Sequence, residues 1–451
     1  MFRSSDSSQS EYEFVSIEEL VPQDHLLRVI DRHIDFSFIR EKTRPFYSAD
    51  NGRPAIDPVV LFKMVFIGYL YGIRSERQLE QEVKTNVAYR WFLGLKLTDR
   101  VPDHTTISLN RCKRFNDANI FQEIFDEIVL QGMKHRMISG RVLMTDSTHI
   151  KANANKRRFI EQQVAEQTKS YLDELDEAIL ADRKAHQKKS LRKREEVKRE
   201  KEVKVSTTDP DSGYMYREGK PEGFFYLDHR TVDAKYNLIT DVHITPGNIH
   251  DSVPYIERLE RQIERFQFQV EAVALDSGYL TNPICHALDE RKIFAVIGHR
   301  RFQPTKGLLP KWKFTYDKET DTYICPQTQH LTYRTTNRHG FRQYVSNPKI
   351  CQSCPMLEQC TRSQNHRKVV TRHVWEDSKE KVRANRLSKS GKGLYALRKQ
   401  TIERSFGDAK QLHGYRYARY RGRAKVLEQA LMTAACQNMK KIALHLAKRA
   451  G

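Results

Sequence analysis

The chain has 451 residues, enough for about two to four domains, and 78 Lys and Arg against 57 Asp and Glu give it a formal charge of +21. This positive excess favours a polyanionic partner, most often nucleic acid, while 39% hydrophobic residues exclude a generally disordered chain. The longest apolar runs are too short to span a bilayer and the first residues lack an apolar signal core, so we expect neither a membrane protein nor an exported one.

Residues 1–135 have the pattern of a helical domain. The apolar segment 58–71 predicts a buried helix, and Ser75 is a suitable cap for a second helix that would continue to Phe92. A further basic helix follows Asp103 and carries Arg111. Short helices that end in a basic helix are typical of helix-turn-helix modules. A helical dimerisation or scaffold domain would show the same pattern, so we predict a DNA-binding or dimerisation domain here.

From residue 139 the pattern changes to alternating strands and helices. Strands are predicted at 141–145, 224–227, 229–234, 238–245, 270–275 and 293–297, with helices at 252–266 and 283–291. This order predicts a mixed α/β core over residues 139–300. Within it, residues 181–204 contain 16 charged residues in 24, which predicts a charged helical arm at about 160–220 that is either a solvated helix or flexible.

Two carboxylates follow predicted strands in the same way. Asp146 comes after the apolar run 141–145 and Asp276 after 270–275, and each is followed by Ser. A carboxylate at the end of a buried strand opens onto the crevice where α/β sheets bind ligands. Each one alone could equally begin a turn or cap a helix. Asp251, which follows another strand and turn, is either a helix cap or a neighbour of the same site.

A third carboxylate stands out in the last 72 residues. These residues carry 18 Lys and Arg against 4 Asp and Glu, and Glu403 lies in this basic segment at the edge of a predicted buried helix face. Three carboxylates without a catalytic Ser/His or Cys/His pattern favour two Mg²⁺ or Mn²⁺ ions that promote phosphoryl transfer. The sequence also lacks the phosphate-binding GxxxxGK[ST] motif, so we expect no nucleotide cofactor.

Four of the seven cysteines lie close together within residues 301–380. They are Cys325, Cys351, Cys354 and Cys360. Four thiolates satisfy tetrahedral Zn²⁺, so this spacing predicts a structural zinc site in a Cys-rich insertion. Buried free cysteines in a small β subdomain, or an iron–sulfur or redox role, remain alternatives.

With these motifs in place, the chain resembles the bacterial insertion-sequence transposases of the DDE type. The resemblance extends over nearly the whole length and depends on VPDHTTIS at 101–108, the strand ending in Asp146, ALDSGY around Asp276 and ERSFGDAK from Glu403. It implies an α/β fold with an RNase H-like mixed-sheet catalytic core, an all-α N-terminal domain and the Cys-rich insertion. It also implies that Asp146, Asp276 and Glu403 form the catalytic, metal-binding triad.

The resemblance further implies a Tyr-Arg-Glu-Lys signature formed by Tyr395, Arg398, Glu403 and Lys410. Because the step from Arg398 to Glu403 is one residue longer than the family pattern, Lys399 is the alternative for the Arg position. The expected domains are 1–135, the first part of the core at 139–300, the insertion at 301–380 and a basic helical part of the core at 381–451. The residues expected to contact DNA are Tyr395, Arg398, Arg404, Lys410, Arg416, Arg419, Arg421 and Arg423.

The resulting expectation is a cytoplasmic, nucleoid-associated enzyme. It would bind terminal inverted repeats in double-stranded DNA, cleave them with Mg²⁺ and join the ends to target DNA as a homodimer. Two alternatives remain open. One is an RNase H-like nuclease that does not join strands, and the other is a transposase-derived DNA-binding protein that has lost catalysis.

Overall fold

Helices form the first third of the chain. The computed structural model describes residues 14–48, 55–115, 119–165, 171–192, 200–216, 222–299, 303 and 305–450. The N-terminal helices are α1 (Ile17–Leu20), α2 (Leu26–His33), α3 (Phe38–Thr43), α4 (Pro58–Leu70), α5 (Glu76–Thr85), α6 (Val87–Phe92), α7 (His104–Leu109) and α8 (Ile120–Lys134). A π-helical turn, Asn110–Arg114, follows α7.

The predicted helix from Ser75 to Phe92 is in fact two helices. Ser75 caps α5 as predicted, but Asn86 interrupts the run because its backbone is extended and its side chain accepts a hydrogen bond from the Tyr89 N–H. Asn86 thus ends one helix and begins the next. The predicted buried helix at 58–71 is present as α4, most of whose residues are buried.

The middle of the chain forms a six-stranded mixed sheet. The thirteen strands within the described residues are β1 (Val142–Lys151), β2 (Phe159–Ala165), β3 (Glu200–Ser206), β4 (Gly213–Met215), β5 (Gly223–Asp233), β6 (Ile239–Pro246), β7 (Ala272–Leu275), β8 (Phe294–Ile297), β9 (Thr315–Asp317), β10 (Thr322–Ile324), β11 (His330–Thr336), β12 (Phe341–Val345) and β13 (Val369–His373). In the main sheet β6, β5, β1, β7 and β8 are neighbours in that order, and β4 extends the pairing along β5. β5 is antiparallel to β1 and β6, whereas β1, β7 and β8 are parallel. The mixed α/β prediction is therefore confirmed.

The prediction that Asp146 ends its strand is wrong. β1 continues to Lys151 because its antiparallel partner β5 pairs with it from Leu143 to Lys151. Only the pairing with the parallel neighbour β7 stops at Thr145. Asp146 therefore lies inside the strand, at the point where one of its two neighbours ends.

The charged arm differs from the helix that was predicted over 160–220. β2 and β3 form an antiparallel ribbon, and α9 (Leu172–Ala185) lies between them in the chain. Residues 166–170, 193–199 and 217–221 of the predicted arm lie outside the described residues. α9 is not simply solvated, since its buried Asp182 pairs with Arg342 of the following small sheet.

That small sheet lies between β8 and the C-terminal helices. Its five antiparallel strands follow the order β13, β12, β11, β10, β9. A separate apolar cluster supports it, formed by Phe314, Tyr323, Leu331, Tyr344 and Val370. Two short helices, α12 (Pro348–Cys351) and α13 (Leu357–Cys360), carry Cys351 and Cys360, and Cys354 lies in the turn between them.

The C-terminal helices join the helical domain to the main sheet. The remaining helices are α10 (Tyr255–Phe266), α11 (Asn282–Glu290), α14 (Glu376–Leu387), α15 (Lys389–Leu397), α16 (Ile402–Leu412) and α17 (Arg423–Ala450). α17 packs against α2, α4 and α8 and also against β6. One hydrophobic core therefore runs through both regions.

None of the described helices is both long enough and apolar enough to cross a bilayer.

Candidate active site

The two aspartates predicted from strand ends lie on neighbouring parallel strands. The last paired residues of β1 and β7 are Thr145 and Leu275, so Asp146 and Asp276 follow at equivalent positions. β1 and β7 are central strands of the sheet, and the sheet opens where their parallel pairing ends, which is where such sheets bind ligands. The strand register thus brings the two carboxylates to one place.

Arg398 connects these two carboxylates. It lies in the short 3₁₀ turn between α15 and α16, and its Nη2 is 2.7 Å from Asp146 Oδ2 while its Nη1 is 3.8 Å from Asp276 Oδ1. The Arg398 side chain is only 4% exposed, compared with 21% for Asp146 and 48% for Asp276. A single buried guanidinium therefore compensates the charge of both carboxylates.

The environment of Asp146 disfavours its ionised form. The pKa of Asp146 is raised from 3.8 to about 6, mainly by burial and also by the nearby Asp276 and Asp251. The Arg398 guanidinium and a hydrogen bond from the Ser147 N–H act in the opposite direction. Carboxylates that crowd together in a buried site bind cations well because a cation relieves their repulsion.

Asp251 and Tyr279 complete the surroundings of the two aspartates. A Cβ atom at Gly278 would come within 3.3 Å of Asp251 Oδ2, so this carboxylate lies against the loop that follows Asp276. Asp251 is not the cap of α10, whose N-cap residue is Pro254. Among the residues that the structure describes, the buried Tyr279 hydroxyl has no hydrogen-bond partner, and both Asp146 and Asp251 add to the effect of burial in raising its pKa.

Tyr395 fixes α15 against the same end of the sheet. A Cβ atom at Gly298, which directly follows β8, would lie 2.6 Å from the Tyr395 hydroxyl and 2.8 Å from the Ser277 nitrogen. Only glycine leaves room for this approach. The Tyr395 ring also lies 5.4 Å below the Arg398 guanidinium carbon, so it supports the arginine that joins the aspartates.

Glu403 is placed nearby but does not contact the aspartates. It lies in the first turn of α16 with its side chain exposed. In the part of the chain that the structure describes, no set of three potential ligand atoms that includes Asp146 and Asp276 lies within 4.8 Å. The structure thus brings together Asp146, Asp276 and Asp251, while Glu403 faces solvent.

Lys410 lies beside β1, two helical turns beyond Glu403. Its Nζ donates a hydrogen bond to Thr148 Oγ1 over 2.5 Å. Residues two apart in a strand share a face, so Thr148 and Asp146 lie on the same side of the sheet. The chain after α16 then pairs with the end of β1, where the Ala418 N–H donates to the Lys151 carbonyl over 2.8 Å.

The predicted DNA contacts fall into two groups. Arg404, Arg416, Arg421 and Arg423 are exposed, so they are available to a partner. Arg398 was predicted to contact DNA, but in the structure it is buried against the aspartates. This corrects the prediction. Arg419 is also misassigned, because its guanidinium lies 4.4 Å from the Tyr69 ring centroid and makes a hydrogen bond to the Gly68 carbonyl.

The predicted basic helix of the N-terminal domain also contains an arginine that the structure buries. Arg111 is buried, pairs with Glu76 at 2.9 Å and lies 3.6 Å from the centroid of the Tyr420 ring. Arg111, which was predicted to lie on a DNA-binding helix, therefore packs between this domain and the C-terminal segment. Lys113 and Arg114 of the same turn are exposed.

The four clustered cysteines lie near one another beside the small sheet. Burial raises the pKa of the Cys360 thiol, and the nearby Cys351, Cys325 and Cys354 add to this effect. Among the described residues, however, no three of these sulfur atoms lie within 4.8 Å of one another. The sulfurs of a tetrahedral zinc site are closer, roughly 3.8 Å apart given Zn–S bonds of about 2.3 Å. The thiols are gathered without forming a closed site.

The set that does meet this distance criterion in the described chain is Glu80, Asp103 and His104. These three residues hold two helices together. Glu80 accepts hydrogen bonds from Lys84 and from the His104 backbone and ring, which lower its pKa to about 2, and Asp103 caps α7. These groups fasten α7 to α5.

Two segments of the chain match known families. Residues 15–113 match the family described as Transposase domain (DUF772), and residues 324–443, which include Glu403 and Lys410, match the Transposase DDE domain. Both matches support an insertion-sequence DDE transposase. The family-level prediction is thus confirmed, and no curated protein matches the chain.

Solved structures resemble this chain only distantly. A piggyBac transposase synaptic complex with hairpin DNA has 11% identity and a TM-score of 0.34, with 94% of this chain and 75% of that chain covered. A Mos1 transposase paired-end complex with the left transposon end has 11% identity and a TM-score of 0.17, covering 56% and 62%. A Mos1 mariner paired-end complex with Mn has 13% identity and a TM-score of 0.18, covering 57% and 64%.

Sequence reasoning did not find Tyr279 as part of this site. The signal was present, since Tyr279 belongs to the same ALDSGY segment as Asp276. A tyrosine that packs in a core and one that faces a carboxylate look alike in sequence. Only the fold shows that its hydroxyl is buried beside Asp146 and Asp251.

The raised pKa of Asp146 predicts a pH-dependent stability. The folded protein holds this proton more tightly than the unfolded chain, so the contribution of Asp146 to stability is complete below about pH 4 and is lost as the pH rises towards about 6. Between pH 4 and pH 7, we expect the metal-free wild type to lose roughly 2 to 3 kcal/mol more free energy of unfolding than Asp146→Asn. Urea denaturation in a chelator measures this difference.

The matched control for this comparison is Asp24→Asn, which changes an exposed carboxyl group far along the chain from the site. Its pH profile should follow that of the wild type. Parallel profiles for the wild type and Asp146→Asn would show that the site does not perturb Asp146.

Proposed function

We propose that this transposase binds the terminal inverted repeats of its element as a homodimer, cleaves them in a Mg²⁺-dependent reaction and joins the freed ends to target DNA. The observation that carries the proposal is the pair Asp146 and Asp276, which directly follow the last paired residues of two adjacent parallel strands and are held by one arginine. The strand order of the main sheet supports an RNase H-like core around this pair. Since the substrate is chromosomal DNA, we place its action at the bacterial nucleoid.

We propose the domain boundaries expected from the sequence and give each domain a role in the reaction on DNA. Residues 1–135 would bind DNA or dimerise, 139–300 with 381–451 would form the catalytic core, and 301–380 would form the Cys-rich insertion. The shared hydrophobic core supports a fixed orientation of the helical domain relative to the sheet, since α17 belongs to both.

The residues of the site suit a divalent cation. Asp146, Asp276 and Glu403 offer the oxygen ligands that Mg²⁺ and Mn²⁺ prefer. A cationic group, the Arg398 guanidinium, already lies against both aspartates and shows that the pair favours a cation. When bound, two such ions would activate a water or a 3′-hydroxyl and stabilise the leaving oxygen.

The protein side chains around this centre have distinct proposed roles. Arg398, supported by Tyr395, compensates the carboxylate charges and fixes their orientation. Asp251 adds negative charge beside the aspartates and so strengthens the attraction of cations. The exposed Arg404, Arg416, Arg421 and Arg423 would hold DNA phosphates, which supplies affinity without reading sequence.

Both alternatives remain testable against this proposal. A nuclease of the same fold would release cleaved ends without joined products, and a transposase-derived binding protein would do neither. The intact set of Asp146, Asp276 and Glu403 favours an active enzyme over the second alternative. A strand-transfer assay with a terminal-repeat duplex and Mg²⁺ separates the three.

Removal of any one triad charge should stop catalysis but not DNA binding. For Asp146→Asn, Asp276→Asn and Glu403→Gln, we expect cleavage to fall by more than about 100-fold, because a ligand to the ions is lost. The duplex affinity measured in chelator should stay close to that of the wild type. Gel-based cleavage and strand-transfer assays measure the loss.

Asp408→Asn is the control for Glu403→Gln, since Asp408 lies on the same helix and pairs with Arg404 instead. We expect it to retain activity. If Glu403→Gln cleaved as fast as Asp408→Asn, Glu403 would not be a metal ligand, and the third ligand would have to come from another carboxylate, such as Asp251 beside Asp146.

We also propose a structural zinc ion in the insertion, bound by Cys325, Cys351, Cys354 and Cys360. The support is the donor set, four cysteines that the small sheet and its two short helices bring near one another. The sulfur atoms would have to move closer together to complete a tetrahedral site.

Metal analysis of the purified protein tests this assignment. We expect about one zinc per chain and a lower melting temperature in a strong chelator, because binding energy at such a site stabilises the fold. Cys351→Ser should lose the metal, whereas Cys112→Ser, a change outside the cluster, should keep it. Absence of zinc together with an unchanged melting curve would contradict the assignment.

A further inference from the structure

A second concave feature lies a short distance from the candidate active site. It is a cavity of about 440 Å³ between the loop after α4 and the end of α16. Its lining includes Arg74 from the helical domain and Lys410 and Arg416 from the C-terminal segment. Three cations from two distant parts of the sequence thus face one space.

These cations lack close acidic partners. Within the described residues, no carboxylate oxygen lies within 4.0 Å of the charged nitrogens of Arg74, Lys410 or Arg416, although many other basic side chains of this protein are paired. Lys410 is half-buried, and burial together with the nearby Arg416 and Arg230 lowers its pKa, although the buried Asp228 acts in the opposite direction. Cations that repel one another in a concave site favour an anion there.

The backbone around the cavity is fixed by close contact between the two segments. Gly72 and Gly414 both have positive φ angles, +68° and +64°, and a Cβ atom on either would lie 3.2 Å from backbone atoms of the other segment. Beside them the buried His413 ring makes a 3.0 Å hydrogen bond to the Tyr69 carbonyl. Because neither glycine can be replaced without strain, the backbone segments that carry the cations are held in a fixed relative position.

The cavity is connected to the aspartates through β1. Lys410 binds Thr148, which is two residues beyond Asp146 on the same face of the strand. Two residues of a strand span about 7 Å, roughly the distance over which a DNA strand advances by two phosphates. An anion in the cavity would therefore lie a few nucleotides from a phosphate at Asp146.

We propose that this cavity binds one phosphodiester of the DNA strand whose cleavage takes place at Asp146 and Asp276, and that Arg74 of the helical domain is a ligand of that phosphate. This inference rests on the proposed function. Arg74 and Arg416 supply planar groups that can donate two hydrogen bonds to a phosphate, and Lys410 supplies a point charge. The helical domain then helps to set which phosphate is cleaved.

Binding of terminal-repeat duplexes with single methylphosphonate substitutions tests the contact, since each substitution neutralises one phosphate. The experiment compares the full-length wild type, Arg74→Gln and the control Arg100→Gln in a chelator, so that no cleavage occurs. Arg100 is an exposed arginine of the same domain that does not line the cavity.

For the wild type, we expect one methylphosphonate near the cleavage position to weaken binding about tenfold. Arg74→Gln should weaken binding to the unmodified duplex by a similar factor and should flatten the slope of log K against log salt by about 0.9. At the phosphate that Arg74 contacts, the losses of affinity caused by Arg74→Gln and by the methylphosphonate should not add, because both changes remove the same contact. Arg100→Gln should bind like the wild type, with additive effects throughout.

Additive effects of Arg74→Gln with every methylphosphonate, or wild-type affinity and salt slope for this variant, would overturn the phosphate contact. A parallel strand-transfer assay with Mg²⁺ separates this failure from that of the proposed function. If the wild type joins ends while Arg74→Gln binds unchanged, only the inference fails. If the wild type neither binds nor cleaves the terminal-repeat duplex, the proposed function fails, and the inference fails with it.

Discussion

The register between β1 and β7 is the constraint on which the candidate site depends. Parallel pairing from Val142 with Ala272 to Thr145 with Leu275 makes Asp146 and Asp276 the next residues on adjacent strands. A shift of one residue in either strand would send one carboxylate to the opposite face of the sheet. The apolar residues of both strands, among them Leu143, Met144, Val273, Ala274 and Leu275, are buried, so the core itself fixes this register.

A buried polar network then fixes the helix that covers this face. Arg230 lies opposite Asp146 on β5 and is fully buried. Its guanidinium pairs with Asp228 at 2.8 Å and donates hydrogen bonds to Ser405 of α16 and Gln437 of α17. Because an unpaired buried charge is costly, these contacts hold α16, and with it Glu403 and Lys410, over the sheet. The same network joins the catalytic region to α17, which also supports the helical domain.

The features that could be predicted from the sequence are those that depend on a local pattern of residues. The strand before Asp276, the helix at 58–71 and the Ser75 cap could all be predicted, because apolar runs and capping residues act locally. The length of β1 could not, since it depends on pairing with a strand some 80 residues away. Arg111, Arg398 and Arg419 show the main limit: a basic residue that is buried against an aspartate, a glutamate or a ring has the same sequence signature as one that faces DNA.

The central claim is that Asp146 and Asp276 bind the divalent cations, and hydroxyl-radical cleavage of the protein by Fe²⁺ in place of Mg²⁺ tests it most directly. Fe²⁺ accepts similar ligands, and the radicals cut the backbone near the bound ion. The account predicts cuts near residues 146, 276 and 403 that excess Mg²⁺ suppresses and that Asp146→Asn with Asp276→Asn abolishes. Cuts confined to other regions, such as the cluster of Glu80, Asp103 and His104, or cuts that persist in the double variant, would contradict it.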